Sequence, residues 1–244
     1  MKIPLRYNSA LFLEEVLLPL YQKLKSHDFV VVGNDSKTVE LIDCHIQNLS
    51  PFDEYIDYPD ALIANRDYIQ RELEWYLEAT KSVERVKDIK IWRSIANARG
   101  EVNSNYGYRI YHADNDFQYQ KAVAALIACP TTRQSTCIYT YPQIQTDWNA
   151  DGGHDMICTF STQHFLRDDK FIYIVNMRSN DAILGFRNDF AWHCYVCKNM
   201  LGDLADAGIK IKDAEICWNA GSMHIYEARG GFDKLEQIVA EFAQ

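Results

Sequence analysis

A cysteine at position 158 and the run NMRSNDAILGFRNDFAW over 176–192 place a nucleophile, an Arg-Ser-Asn-Asp cluster and a Gly-Phe-Arg-Asn-Asp turn within about thirty-five residues. A cysteine attacks as its thiolate, which forms near neutral pH only beside positive charge or a helix dipole. Arg178 falls on the predicted strand that follows the one holding Cys158, and two strands joined by a short turn can present both side chains on one face. Taken alone, a buried strand cysteine is usually an inert small hydrophobe. The arginine is what raises covalent chemistry above that reading.

Other polar residues stand at informative places. Glu72, in YIQRELEWYL, borders the apolar side of a predicted helix, whereas Glu74 points elsewhere. A carboxylate there is either paired with an arginine or a general acid/base whose pKa its surroundings set. His224 and Tyr226 alternate in GSMHIYE and so share a strand face, either holding a sugar hydroxyl or closing a core edge. The segment GEVNSNYGY (100–108) is polar and turn-forming. His193-Cys194-x-x-Cys197 invites a zinc reading, but no second Cys/His pair has suitable spacing and the segment reads as helix, so no metal site is expected.

Positioning these groups falls to a chain of 244 residues, 48% hydrophobic, with net charge -9. No linker, repeat or low-complexity tract divides it, so one domain over 1–244 is expected. An acidic chain with no Lys/Arg block is a poor nucleic-acid coat, although a few local arginines can still grip one phosphate. Seven scattered cysteines, no basic apolar leader and no bilayer-length apolar run point to a reduced, cytoplasmic protein away from the membrane. Hydrophobic periodicity predicts helices over 9–26 (with a kink at Pro19), 60–79, 118–128, 190–207 and from about 233. Strands are predicted over 29–33, 37–46, 135–141, 155–165, 170–178, 209–218 and 222–227. Strands cluster instead of alternating with helices, which favours α+β over a doubly wound sheet.

In this order, RELEWY with Glu72, KIW at 90–92, GEVNSNYGYRIY, the arginine of PTTRQS, Cys158, MRSND, GFRNDFAW and GSMHIY resemble the thymidylate synthase superfamily over most of the chain. Within it, ELEWY, GEVNSNYG, NMRSND and GFRNDFAW are similar to the bacteriophage deoxycytidylate hydroxymethylase branch. The synthases usually place a histidine after the nucleophile, where this chain has Thr159, and an asparagine four residues after the glycine, where it has Asp189.

The resemblance implies a mixed sheet with flanking helices, a homodimer formed through the sheet, and one-carbon transfer from 5,10-methylenetetrahydrofolate to C5 of dCMP. Addition of Cys158 to C6 would make C5 nucleophilic, and water would complete a hydroxymethyl group where a synthase delivers hydride. Glu72 would order that water and relay protons. Asp189, as a neutral acid, would accept from the cytosine amino group and donate to N3. Asn188 falls in the same turn and joins the substrate side. Arg178 and Ser179 would hold phosphate, with Arg133 reaching in from the partner subunit. His224 and Tyr226 would bind the 3'-hydroxyl, Tyr106 matches an active-site tyrosine, and Trp92 and Asp181 match the folate side. Two departures stand out. Gly33 occupies a loop where the family has a basic residue, with Lys37 nearby, and Gln134 replaces the second of two arginines. Both remove positive charge. A dCMP methyltransferase, a dUMP enzyme and a non-catalytic nucleotide-binding member of the fold are the competing readings.

Overall fold

The computed structural model describes residues 5–33 and 36–242. Helices α1 (Tyr7–Phe12), α2 (Leu18–Lys25), α3 (Arg66–Leu77), α4 (Lys90–Ile95), α5 (Tyr106–Tyr111), α6 (Gln118–Ala128), α7 (Ile144–Asp147), α8 (Phe186–Asp206) and α9 (Gly231–Phe242) surround strands β1 (Val30–Val32), β2 (Ser36–Leu49), β3 (Thr136–Ile138), β4 (Thr159–Arg167), β5 (Lys170–Met177), β6 (Asn180–Asp181) and β7 (Asp213–Tyr226). The strands form one sheet in the order β1-β2-β7-β5-β4-β3, with β6 beside β7. β7 runs parallel to β5 and β6 and antiparallel to β2, so the sheet is mixed and the architecture α+β. The β5-to-β7 connection carries α8 across the sheet, as a parallel pair requires.

Side-chain alternation explains the layering. On β5, Phe171, Tyr173, Val175 and Met177 are buried, and the row continues on β7 through Ala214, Ile216, Trp218 and Ala220. α8 lies on this face. Its buried Phe186, Phe190, Cys194, Cys197, Met200 and Leu204 recur every three or four residues, the spacing of one helix stripe. Trp218 meets Phe186 edge-on at 4.9 Å between ring centroids. The opposite face is partly exposed. A hydrogen-bonded row crosses it, from His45 to Asn219 (2.8 Å), Asn219 to Asn176 (3.0 Å) and Asn176 to Ser161 (3.2 Å). Each pair stands directly opposite in the strand register.

Several elements differ from the sequence expectation. The first helix is interrupted by a π-helical turn at Leu13–Leu17, just before Pro19, whose missing N–H cannot close the ordinary ladder. The helix expected from residue 60 begins at Arg66, because Tyr58 and Leu62 exchange backbone hydrogen bonds in a tight turn and Asn65 caps the helix by accepting from the Tyr68 N–H. The strands expected over 209–218 and 222–227 are the single strand β7, and that expected over 135–141 shrinks to β3. α8 starts a turn earlier than expected, taking Asp189 into its first turn. The turn-forming GEVNSNYGY ends in α5, capped by Asn105. There Gly107 lies so close to α3 that a Cβ would stand 1.7 Å from the Tyr76 carbonyl oxygen, a contact only glycine permits.

Candidate active site

Cys158 lies at a bend one residue before β4, not within the strand as expected; the β4–β5 register shifts between Thr159 and Ser161. The Arg178 N–H donates to the Cys158 carbonyl at 2.9 Å, so the two residues still face each other. The Arg178 guanidinium donates to the carbonyls of Ile157 (3.0 Å) and Met156 (2.8 Å), and Nη2 stands 3.4 Å from Cys158 Sγ. Burial pushes the thiol up to about 11; Arg178 opposes the shift, while Asp189 and Asp155 add to it. The resting group is therefore a thiol with a guanidinium beside it.

Glu72 projects inward from α3 and is only 5% exposed. The Tyr68 hydroxyl, one helical turn earlier, donates to Oε1 at 2.9 Å. Burial first, then the charge of Asp189, push the Glu72 carboxyl up to about 8, against the lowering effect of Tyr68 and Trp92. The Trp92 indole N–H borders this pair and is buried without a hydrogen-bond partner among the described residues. Glu74 faces outward to Arg85 and Gln70.

Asp189 accepts from Asn180 Nδ2 at 2.8 Å on Oδ2. Burial pushes its carboxyl up to about 7, while hydrogen bonding from Asn180 and Tyr106 opposes. Two carboxyls that would be ionised in water thus hold protons near neutrality, one on α3 and one on α8.

His224 and Tyr226 close the other side, their rings 4.7 Å apart. Burial lowers the His224 pKa, and Asp181 and Glu40 oppose. β6 sets Asp181 opposite His224 on β7, and Asp181 Oδ1 accepts from the N–H groups of Ile183 and Leu184, both at 2.9 Å, fixing the loop into α8.

Of the catalytic and binding residues that the family resemblance implies, all but Arg133 line one cleft of about 560 Å³, Ser179, Asn188 and Tyr106 among them. Arg133 is exposed on the α6–β3 connection, its carbonyl accepting from Gln163 Nε2 at 2.9 Å. Gln134 is exposed beside it, and Gly33 lies in the turn after β1. His193, Cys194 and Cys197 are buried on α8, and His193 Nδ1 is 3.2 Å from the Tyr173 hydroxyl. Sequence reasoning passed over Tyr68 and Arg229, and it treated Asn180 only as part of a cluster. The Tyr68-to-Glu72 spacing of four on a helix was a usable signal. The Asn180–Asp189 contact depends on how the intervening loop closes and leaves no mark in spacing.

A sulfur nucleophile beside a guanidinium, facing two carboxyls of raised pKa and a histidine–tyrosine pair, suits addition to an unsaturated ring with proton relay. The chain belongs to the thymidylate synthase family, whose model matches residues 64–241. It is 43% identical, over 226 residues, to the deoxycytidylate 5-hydroxymethyltransferase of Enterobacteria phage T4, covering 90% of this chain and 88% of the relative. The phage T2 protein of the same description matches equally. The thymidylate synthase of Francisella philomiragia is 24% identical over 182 residues, 70% of this chain and 63% of the relative.

Proposed function

We propose that this protein is a deoxycytidylate 5-hydroxymethyltransferase. The observation that carries the reading is Asp189, a half-buried residue whose carboxyl is pushed up to about 7 and faces the cleft with Cys158. The extent of identity to the phage enzymes supports the same conclusion. Asn180 donates to Asp189 Oδ2, which leaves the proton of the neutral acid on Oδ1. Such a group donates to cytosine N3 and accepts from the 4-amino group. Uracil, with N3–H and O4, reverses both demands and leaves buried polar atoms unpaired.

Cys158 Sγ adds to C6 of the cytosine ring, with Arg178 stabilising the developing thiolate. That addition turns C5 into the nucleophile. The folate co-substrate would supply the one-carbon unit that C5 takes up, at the oxidation level of formaldehyde, and would leave as tetrahydrofolate as C5 gives up its proton. Glu72, held by Tyr68 through Oε1, keeps Oε2 for the water that completes the hydroxymethyl group and for returning protons to the ring. Expulsion of Cys158 restores aromaticity. Two cleft features suit the folate. Trp92 offers a flat indole on the cleft wall, and Asp181 keeps Oδ2 without a hydrogen bond among the described residues. Ser179 and Arg178 serve the phosphate, and His224 and Tyr226 the 3'-hydroxyl.

The partly exposed sheet face, with its row from His45 to Ser161 and exposed Ile138 and Phe160, supports a homodimer through this face, with Arg133 contributed across it. No helix among the described residues is long and apolar enough to cross a membrane; it is the likeness to the phage enzymes that supports action in the cytoplasm of the cell that makes it. The test is to incubate the protein with dCMP and methylenetetrahydrofolate and weigh the product. 5-Hydroxymethyl-dCMP is expected; 5-methyl-dCMP, or no product from dCMP, overturns the proposal.

A further inference from the structure

We propose that Arg229 grips the phosphate of the nucleotide, supplying the charge that the turn after β1 lacks at Gly33. The inference rests on the reading of the substrate as a nucleoside monophosphate. Three arginines line the cleft: Arg178, Arg187 and Arg229. Arg178 commits Nε and Nη2 to two carbonyls and to Cys158 Sγ, which leaves only Nη1 for the phosphate. Arg187 is 9% exposed and donates to the carbonyls of Ile183 and Ile63. Arg229 is exposed and makes no hydrogen bond or ion pair among the described residues; its guanidinium stands 5.9 Å from the centre of the Tyr226 ring. It is the uncommitted guanidinium of the cleft wall.

Its position fits the order of a nucleotide. Cys158 and Asp189 mark the base, His224 with Tyr226 the 3'-hydroxyl, and Arg178 with Ser179 the phosphate, and Arg229 lines the same cleft as all of them. Arg229 ends the short turn Glu227–Arg229 that leaves β7 directly after Tyr226. That turn packs against β2, and Tyr226 pairs with Thr38 near the start of β2. The turn between β1 and β2, which holds Gly33, is therefore at the same end of the sheet. Lys37 does not line the cleft, and its ammonium sits 5.6 Å from the Phe29 ring centre. A phosphate dianion also needs a counter-charge here, because Asp181 and Glu40 already place negative charge around His224. Arginine meets that need with a planar fork matched to phosphate oxygens.

The experiment compares dCMP with deoxycytidine, which lacks the phosphate, in calorimetric binding to the wild-type protein, Arg229→Gln and Arg229→Lys. Arg229→Gln is expected to weaken dCMP binding by roughly 10–100-fold and leave deoxycytidine within about twofold, with Arg229→Lys recovering part of the loss. An unchanged dCMP-to-deoxycytidine ratio in Arg229→Gln overturns the proposal. So does a loss confined to the folate, which would assign Arg229 to that ligand. If the wild-type protein itself fails to prefer dCMP to deoxycytidine, the nucleotide reading fails and takes this inference with it.

Discussion

Arg178 Nη2 stands 3.4 Å from Cys158 Sγ, yet the thiol remains pushed up to about 11, because burial outweighs the single cation. Alkylation of Cys158 should therefore rise about tenfold per pH unit across the neutral range. Arg178→Gln removes the opposing charge and should slow labelling at pH 8 by about tenfold or more, read by mass spectrometry of the labelled peptide. Cys158→Ser should lose turnover while still binding dCMP.

Tyr68 donates to Glu72 Oε1, and its loss frees the carboxyl to rotate and raises its pKa further. Tyr68→Phe should lower kcat by about tenfold with little change in the KM for dCMP, since the hydrogen bond orients a proton-relay group and does not touch the nucleotide. A change confined to KM would contradict this role.

Asp189 serves cytosine in its neutral form, which is lost as pH rises through about 7. Binding of dCMP to the wild-type protein should weaken across that range. Asp189→Asn should remove the dependence and move preference toward dUMP by at least about tenfold, measured as competing affinities for the two nucleotides.

Stability carries the same electrostatic signature. Unfolded, Glu72 titrates near 4.3, as glutamates generally do; folded, at about 8. Between those values the folded protein keeps a proton that the unfolded chain has released. Stability therefore falls as pH rises through this window, with no penalty below it and the full penalty above it. Glu72→Gln should be more stable than wild type at pH 8.5 by on the order of a few kcal/mol, with the gain shrinking toward pH 5.5. Urea unfolding at the two pH values measures it.

Gly107 tests the packing of α5 against α3. Gly107→Ala forces a methyl group into the Tyr76 carbonyl, where backbone stands on both sides. A loss of roughly 3 kcal/mol or more, or failure to fold, is expected from thermal melts.

Much of this arrangement was legible in the sequence, for stated reasons. The apolar stripe over 118–128 gave α6 its observed limits, and alternation over 170–178 gave β5. Glu72 was readable because its helix period places it against the apolar face. Cys158 was assigned to a strand because β-branched and aromatic residues surround it, but the register shift at Thr159–Ser161 that frees it at a bend depends on pairing with β5. Asn180 escaped for a related reason, since its contact with Asp189 spans a loop whose path Asp181 fixes by accepting two backbone N–H groups. Spacing reports periodic elements, and it is silent where a loop decides which side chains meet.

The protonated state of Cys158 has a consequence for how the protein survives between turnovers. Peroxides oxidise cysteine through its thiolate, on the way to sulfenic and then irreversible sulfinic acid. A sulfur whose pKa lies near 11 is almost entirely thiol at neutral pH, so peroxide should inactivate the resting protein slowly and faster as pH rises. The desolvation that holds the nucleophile in reserve should thereby also shield it between turnovers.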